Sequence, residues 1–237
     1  MKKGIFAICM AALMLTGCGN SAGTAQSSTP AADASSATVA DSEQADSVSE
    51  TESAEESADQ EQEFIDWFGI EIPIPSGMER CIVGDEYVFS NEPHDTRIDN
   101  PVYFAFENAY PEKDEDGNYK IYTAAEVPDA VWVRMNDVIT PFYLTNAGNT
   151  KKNVESTSEA TFLDNPVLCE HGTLQTVENV NLHYVAYYTA VEFPKRNKGR
   201  QFPIFWIAFT PSDDPEALEL MERAAEAPLK EAKLQEN

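Results

Sequence analysis

Between Gly19 and Glu63 lie forty-five residues with no aromatic and no basic side chain. Eleven of them are acidic: Asp33, Asp41, Glu43, Asp46, Glu50, Glu52, Glu55, Glu56, Asp59, Glu61 and Glu63. The rest are mostly Ser, Ala, Thr and Gln. Such a stretch buries too little apolar surface to offset the entropy lost on ordering, so it reads as a disordered spacer. Any packed core must therefore form in residues 64–237, which hold 23 of the 24 aromatic residues. That region is 174 residues long, enough for one domain with a real core. As a coil, the spacer spans roughly 40 Å, and repulsion between its charges extends it further.

Ahead of the spacer, Lys2-Lys3 precede an uncharged run from Ile5 to Leu15, and Leu15-Thr16-Gly17-Cys18 follows. The order is that of a secretory signal. The run is shorter than the ~20 apolar residues that a membrane-crossing helix needs. Leu15-Thr16-Gly17-Cys18 resembles the lipobox of bacterial lipoproteins. The resemblance implies that residues 1–17 are a signal peptide cleaved between Gly17 and Cys18, and that a diacylglyceryl group on Cys18 anchors the chain in membrane lipid. Two or more acyl chains give durable anchoring, at about 0.8 kcal/mol per buried CH₂. The expected organisation is a signal at 1–17, lipidated Cys18 with the spacer at 18–63, and one globular domain at 64–237, facing outward from the cell membrane.

The net charge of the whole chain is −25. Two lysines belong to the signal and eleven acids to the spacer, which leaves 30 acids against 14 bases in the domain, a net of −16. Nucleic acid is excluded as a partner, because its affinity rests on phosphate neutralisation by Lys and Arg. The balance also argues against docking on an anionic membrane, while permitting cationic partners or Ca²⁺. Cys9 leaves with the signal, so the domain keeps Cys81 and Cys169. A disulfide between them is chemically permitted outside the cytosol, and buried free thiols are the other reading.

The domain pattern predicts α+β: mainly antiparallel sheet with helices packed on it, including one at the C-terminus. Phe68–Ile74, Arg80–Ser90 (with Gly84-Asp85 as turn or bulge) and Val102–Glu107 read as strands. Asp116-Gly117-Asn118 reads as a hairpin turn. Val127, Val131, Met135, Val138 and Phe142 recur at helical spacing, behind a Thr123/Glu126 capping box and Pro128. A meander follows: 166–170, 173–177, 182–193 and 202–210. In the last of these both alternating faces are apolar, so elements must pack on both sides of the sheet. A closing helix spans about 215–234, capped by Ser212 or Asp213, with Leu218, Met221, Ala225 and Leu229 as its stripe. This order, with residues 68–78 (FGIEIPIPSGM) and the long closing hairpin and helix at 182–229, resembles the PsbP/Mog1-like fold. Its members are mostly non-catalytic binding or assembly proteins, and no functional residue carries over.

No catalytic motif emerges, and no cofactor or metal is expected. His171 and His183 lie too far apart in the expected register for one zinc, and His94 sits in a polar stretch. Glu112, Asp114 and Asp116 have the start of a calcium-loop spacing, but Thr123 falls where a bidentate Glu is required. A Cys–His pair from Cys81 or Cys169 with His171 or His183 is conceivable but unspecific. Tyr184, Tyr187, Tyr188 and Trp206, on neighbouring strands, are either an aromatic platform for a sugar or peptide, or core. The leading expectation is a displayed non-catalytic binding or assembly domain with an envelope-protein or wall partner. The rival is a small envelope hydrolase.

Overall fold

Every residue of Phe202–Thr210 is buried, as a strand apolar on both faces requires. It lies at the centre of the sheet, with an α-helix against each face. A computed structural model of the chain describes residues 62–81, 87–92, 100–196 and 198–235. In chain order the strands are β1 (Phe64–Trp67), β2 (Ile70–Pro73), β3 (Glu79–Arg80), β4 (Val88–Ser90), β5 (Tyr103–Asn108), β6 (Lys151–Phe162), β7 (Asn165–Gln175), β8 (Asn181–Val191), β9 (Phe202–Thr210) and β10 (Lys233–Leu234). The helices are α1 (Val127–Ile139), preceded by a 3-10 turn at Ala124–Glu126, and α2 (Pro215–Glu231). Seven strands form an antiparallel sheet in the order β3-β4-β5-β9-β8-β7-β6, and β1-β2-β10 form a small second sheet. This is the expected α+β class.

Alternation along β8 and β9 sorts their side chains between two cores. Tyr184, Ala186, Tyr188, Phe205, Ile207 and Phe209 pack with Val127, Val131, Met135 and Val138 of α1. Val185, Tyr187, Val191, Ile204 and Trp206 pack with Ala217, Met221, Ala224 and Ala225 of α2, and with Trp67 and Ile72 of the small sheet. The helix starts follow from the sequence. The Glu126 carboxylate accepts from the Thr123 amide (2.9 Å) and hydroxyl (2.8 Å), and these bonds hold its pKa below the usual carboxylate value. In α2 the cap is Asp214, whose carboxylate accepts from Glu216 and Ala217 amides at 2.9 and 3.4 Å. The expected caps, Ser212 and Asp213, are therefore displaced by one position or two, since Pro215 takes the first helical turn.

Three expectations about strands change. Phe68–Ile74 is not one strand: Phe68 and Gly69 turn with φ of 53° and 93°, so the chain reverses and β1 pairs with β2. Segments 166–170 and 173–177 are one continuous strand, β7. Gly84-Asp85 lies outside the described residues. Finally, the sequence reading found no strand at Lys151–Phe162. β6 nevertheless pairs with β7 along its whole length, through a two-residue turn with Leu163 and Asp164 at φ 47° and 65°. A bulge falls between Val154 and Ser156, opposite Gly172 and His171. A Cβ at position 172 would lie 2.1 Å from the Asn153 carbonyl oxygen. Glycine is thus what lets β6 approach β7 beside the bulge.

Candidate functional site

Four kinds of site were open from the sequence: an aromatic platform, a cysteine–histidine pair, a histidine metal site and a calcium loop. The aromatic platform does not form. Tyr184, Tyr187, Tyr188 and Trp206 are all 5 % exposed or less. Strand alternation sends Tyr184 and Tyr188 to the α1 side and Tyr187 and Trp206 to the α2 side. Tyr187 and Trp206 stack at 5.2 Å and 12°, and the Trp206 indole N–H donates to the Ala225 carbonyl of α2 at 2.8 Å. These residues are core, as helices covering both faces of the sheet require.

Cys81 and Cys169 are both free and buried. Cys81 belongs to the core under α1 and Cys169 to the core under α2, so the sheet separates them and the permitted disulfide is not made. The Cys169 thiol meets the Tyr187 and Ser158 hydroxyls, and burial pushes its pKa up. Burial likewise pushes Cys81 up to about 11. Both stay protonated at neutral pH, whereas a nucleophilic cysteine must be a thiolate.

The β7–β8 turn is tighter than expected. The Thr176 amide donates to the Val180 carbonyl (2.9 Å) and the Val180 amide to the Thr176 hydroxyl (3.0 Å). His171 consequently faces Val185, not Tyr188, and His183 faces Thr173. The histidines share a face and are closer than the expected register gave, yet each has its own carboxylate. His171 Nδ1 lies 3.3 Å from Glu222 Oε1, and His183 Nε2 lies 2.7 Å from Asp213 Oδ1. Among the described residues, no three His, Cys, Asp or Glu side chains converge as a metal site. His94 lies outside the described residues. At the calcium-like segment, Asp114 Oδ1 accepts from the Asp116 and Asn118 amides at 3.0 and 2.8 Å. Gly117 takes φ 84° there. Asp114 is thereby engaged in closing a turn.

Two features escaped the sequence reading. The first is a buried polar group beneath α1. Lys152 Nζ of β6 contacts Glu170 Oε2 of β7 at 2.9 Å, and the Tyr184 hydroxyl donates to the same oxygen at 3.4 Å. The ammonium also lies 5.7 Å from the Trp132 ring centre and 5.8 Å from that of Tyr188. Glu170 is 6 % exposed. Burial first, then the Glu170 charge, raises the pKa of Tyr184, which keeps its hydroxyl as a donor. The signal in the sequence was a lone carboxylate in an otherwise apolar and neutral β7.

The second is β6 itself. It ends the sheet order and bears no strand on its outer edge among the described residues. From Asn153 to Glu159 every residue is exposed, so neither face is covered there. Two open recesses, of about 510 Å³ and 560 Å³, lie beside the β6–β7 turn (Glu159, Thr161, Asp164, Pro166) and around Ile74–Glu79. Glu170, Cys169 and Cys81 line neither.

No protein-family model and no curated protein matches the chain. Among solved structures it is weakly similar to the solution structure of cyanobacterial PsbP (CyanoP) from Synechocystis sp. PCC 6803, at 14% identity and a TM-score of 0.38. That match covers 71% of this chain and 88% of the other. A protein of unknown function from Pseudomonas aeruginosa, PA94, matches at 11% identity and a TM-score of 0.33, over 74% of this chain and 99% of the other. At these values neither likeness bears on function.

Proposed function

We propose that this chain is a lipid-anchored protein on the extracytoplasmic face of the cell membrane, held through Cys18, and that its domain is a non-catalytic binding or assembly module. The observation that carries the binding role is the outer edge of β6, which bears no strand among the described residues. An exposed edge offers a row of unpaired amides and carbonyls, and proteins usually cover or disrupt such edges. Here the bulge at Glu155 interrupts only the middle of the strand, and Ser156–Phe162 continues regularly against β7. The partner class this fits is an extended segment of an envelope or wall-associated protein that adds a strand to the sheet, with main-chain bonds giving affinity. The anchor is supported by the signal anatomy and the Leu15-Thr16-Gly17-Cys18 motif. The rival reading, a small envelope hydrolase, gains no support from Cys169 or Glu170, which are packed inside.

Two experiments test the two halves. Metabolic labelling with a clickable fatty acid is expected to mark the wild-type chain and not Cys18→Ala; label retained in the variant overturns the anchor. For the edge, successive amides in a strand point to opposite sides. Of Ser156→Pro and Thr157→Pro, one therefore removes an outward N–H and the other an N–H bonded to β7. Crosslinking and pull-down from intact cells is expected to lose a specific partner with the outward variant, while its circular dichroism stays that of the wild type. If both variants recover the same partners as the wild type, strand addition at β6 is wrong.

A further inference from the structure

Beside the β6–β7 turn the two faces of β6 differ in chemistry. Ala160 and Phe162 pack into the core beneath α2, so alternation turns Glu159 and Thr161 to the α1 side. There they stand opposite Leu168 and Pro166 of β7. The recess of about 510 Å³ is lined by Glu159, Thr161 and Pro166, by Asp164 of the turn, and by Ala124 and Ala125 of the 3-10 turn that leads into α1. Two carboxylates thus border one hollow with an apolar wall. The hollow adjoins the strand whose outer edge bears no neighbour among the described residues.

Neither Glu159 nor Asp164 is in an ion pair among the described residues. Glu170, which stands opposite Thr157 on the same side of the sheet, is instead matched by Lys152. On the other face Ser156, Ser158 and Ala160 carry no charge. A strand added outside β6 would extend both faces. Its residue opposite Glu159 would hold its Cβ about 5 Å away on the recess side, and the residues two positions before and after would share that side. Glu159, Asp164 and the apolar wall therefore set the chemistry of those alternate positions. The intervening positions meet only small neutral side chains.

We infer that the segment added at β6 is basic, with Lys or Arg at alternate positions whose cations meet Glu159 and Asp164 in the recess beside the turn. This rests on the strand-addition reading and names the partner's chemistry. Long basic side chains suit the place, since their stems lie on apolar surface while their heads reach the carboxylates. The −16 charge of the domain draws such a segment in at long range. The chain's own stretch from Gly19 to Glu63 has no basic residue and cannot supply the cations. A second copy is disfavoured as well. Two β6 strands paired antiparallel about Thr157 would set Glu155 against Glu159, and like charges directly opposite destabilise a sheet.

The probe is the fluorescein-labelled peptide Thr-Val-Lys-Val-Arg-Val-Thr, which sets both cations on one face of a strand. It is titrated by fluorescence anisotropy into the full chain carrying Cys18→Ala, so that the anchor plays no part. A dissociation constant of about 1 mM or tighter is expected. Thr-Val-Glu-Val-Glu-Val-Thr should bind at least about tenfold more weakly, and Thr-Val-Lys-Arg-Val-Val-Thr, with one cation on each face, should fall between. Glu159→Gln is expected to weaken binding of the basic peptide about tenfold, as for a charge-assisted bond. Asp164→Asn keeps a residue that tolerates positive φ and should weaken it about threefold or more. Both side chains are at the surface, so the fold is not at stake. Glu178→Gln removes the same charge at the other end of β7 and should change nothing. The outward proline variant at Ser156 or Thr157 should abolish binding. If that proline abolishes binding while Glu159→Gln and Asp164→Asn leave it unchanged, or if the acidic peptide binds equally well, strand addition stands and the basic preference is overturned. Binding of the basic peptide that survives the outward proline, or none at about 1 mM, overturns the inference. So does self-association of the chain that displaces the peptide, which would identify a second copy as the occupant.

Discussion

Trp206→Ala is expected to lower the unfolding free energy by about 4 kcal/mol, in the range for large aromatic-to-alanine changes in cores. Trp206 is 2 % exposed in the central strand. Its ring lies between Tyr187 and Phe162, with centres 5.2 and 5.0 Å away. Its N–H ties β9 to α2 through the Ala225 carbonyl. Alanine therefore removes packing on three sides and leaves a cavity that two rigid rings and a helix cannot collapse into. Total stabilities of domains run to roughly 5–15 kcal/mol, so a loss of this size takes a large share of the margin. Trp206→Phe, which keeps most of the volume and loses the hydrogen bond, should cost about 1–2 kcal/mol. Guanidinium unfolding followed by far-ultraviolet circular dichroism gives both values. A loss below about 1 kcal/mol for alanine would mean that Trp206 is not the core residue described here.

Lys152→Met is expected to cost about 3 kcal/mol, and more than Glu170→Gln. The asymmetry follows from burial. The Lys152 side chain is 23% exposed and that of Glu170 is 8%. Deprived of Glu170, the ammonium can swing toward water along its flexible stem. Deprived of Lys152, the carboxylate remains inside with the Tyr184 hydroxyl at 3.4 Å as its side-chain partner, and an uncompensated buried charge is expensive. The Lys152→Met/Glu170→Leu double variant should recover most of the loss, because apolar replacement of a buried pair is often neutral. A double-mutant cycle by denaturant unfolding measures the coupling. Additive single effects would show that the contact contributes nothing beyond its separate parts.

Residues that repeat on a local period were legible in sequence. β9 was, because nine apolar or neutral residues in a row have only one place to go. α1 was, because Val127, Val131, Met135 and Val138 share one helical face and Thr123 with Glu126 marks its start. β6 was not. Its Lys-Lys-Asn-Val-Glu-Ser-Thr-Ser-Glu run has no period-two pattern, because neither face is buried from Asn153 to Glu159. It is a strand because β7 supplies its hydrogen-bond partners and Gly172 leaves room for it. The histidines illustrate the same limit. Their expected separation rested on a register three residues away from the real one, and a turn closed by the Thr176 hydroxyl decided it. The rings around Arg196 were not legible either, since Phe68 and Tyr110 lie far from it in sequence and meet it only in the fold.

By itself, the sequence determined that a core can draw its aromatic residues only from 64–237, which hold 23 of the 24, and that the domain sheet must be covered on both sides. Only the tertiary structure decided that Tyr184, Tyr187, Tyr188 and Trp206 are core, that Cys81 and Cys169 lie on opposite sides of the sheet, that β6 bears no strand on its outer edge among the described residues, and that Arg196 lies near the rings of Phe68, Phe202 and Tyr110. The physical reason is the range of the interactions involved. Burial potential and helical or strand period are properties of neighbouring residues. Register, face and ring stacking arise from residues that meet only after the chain has folded.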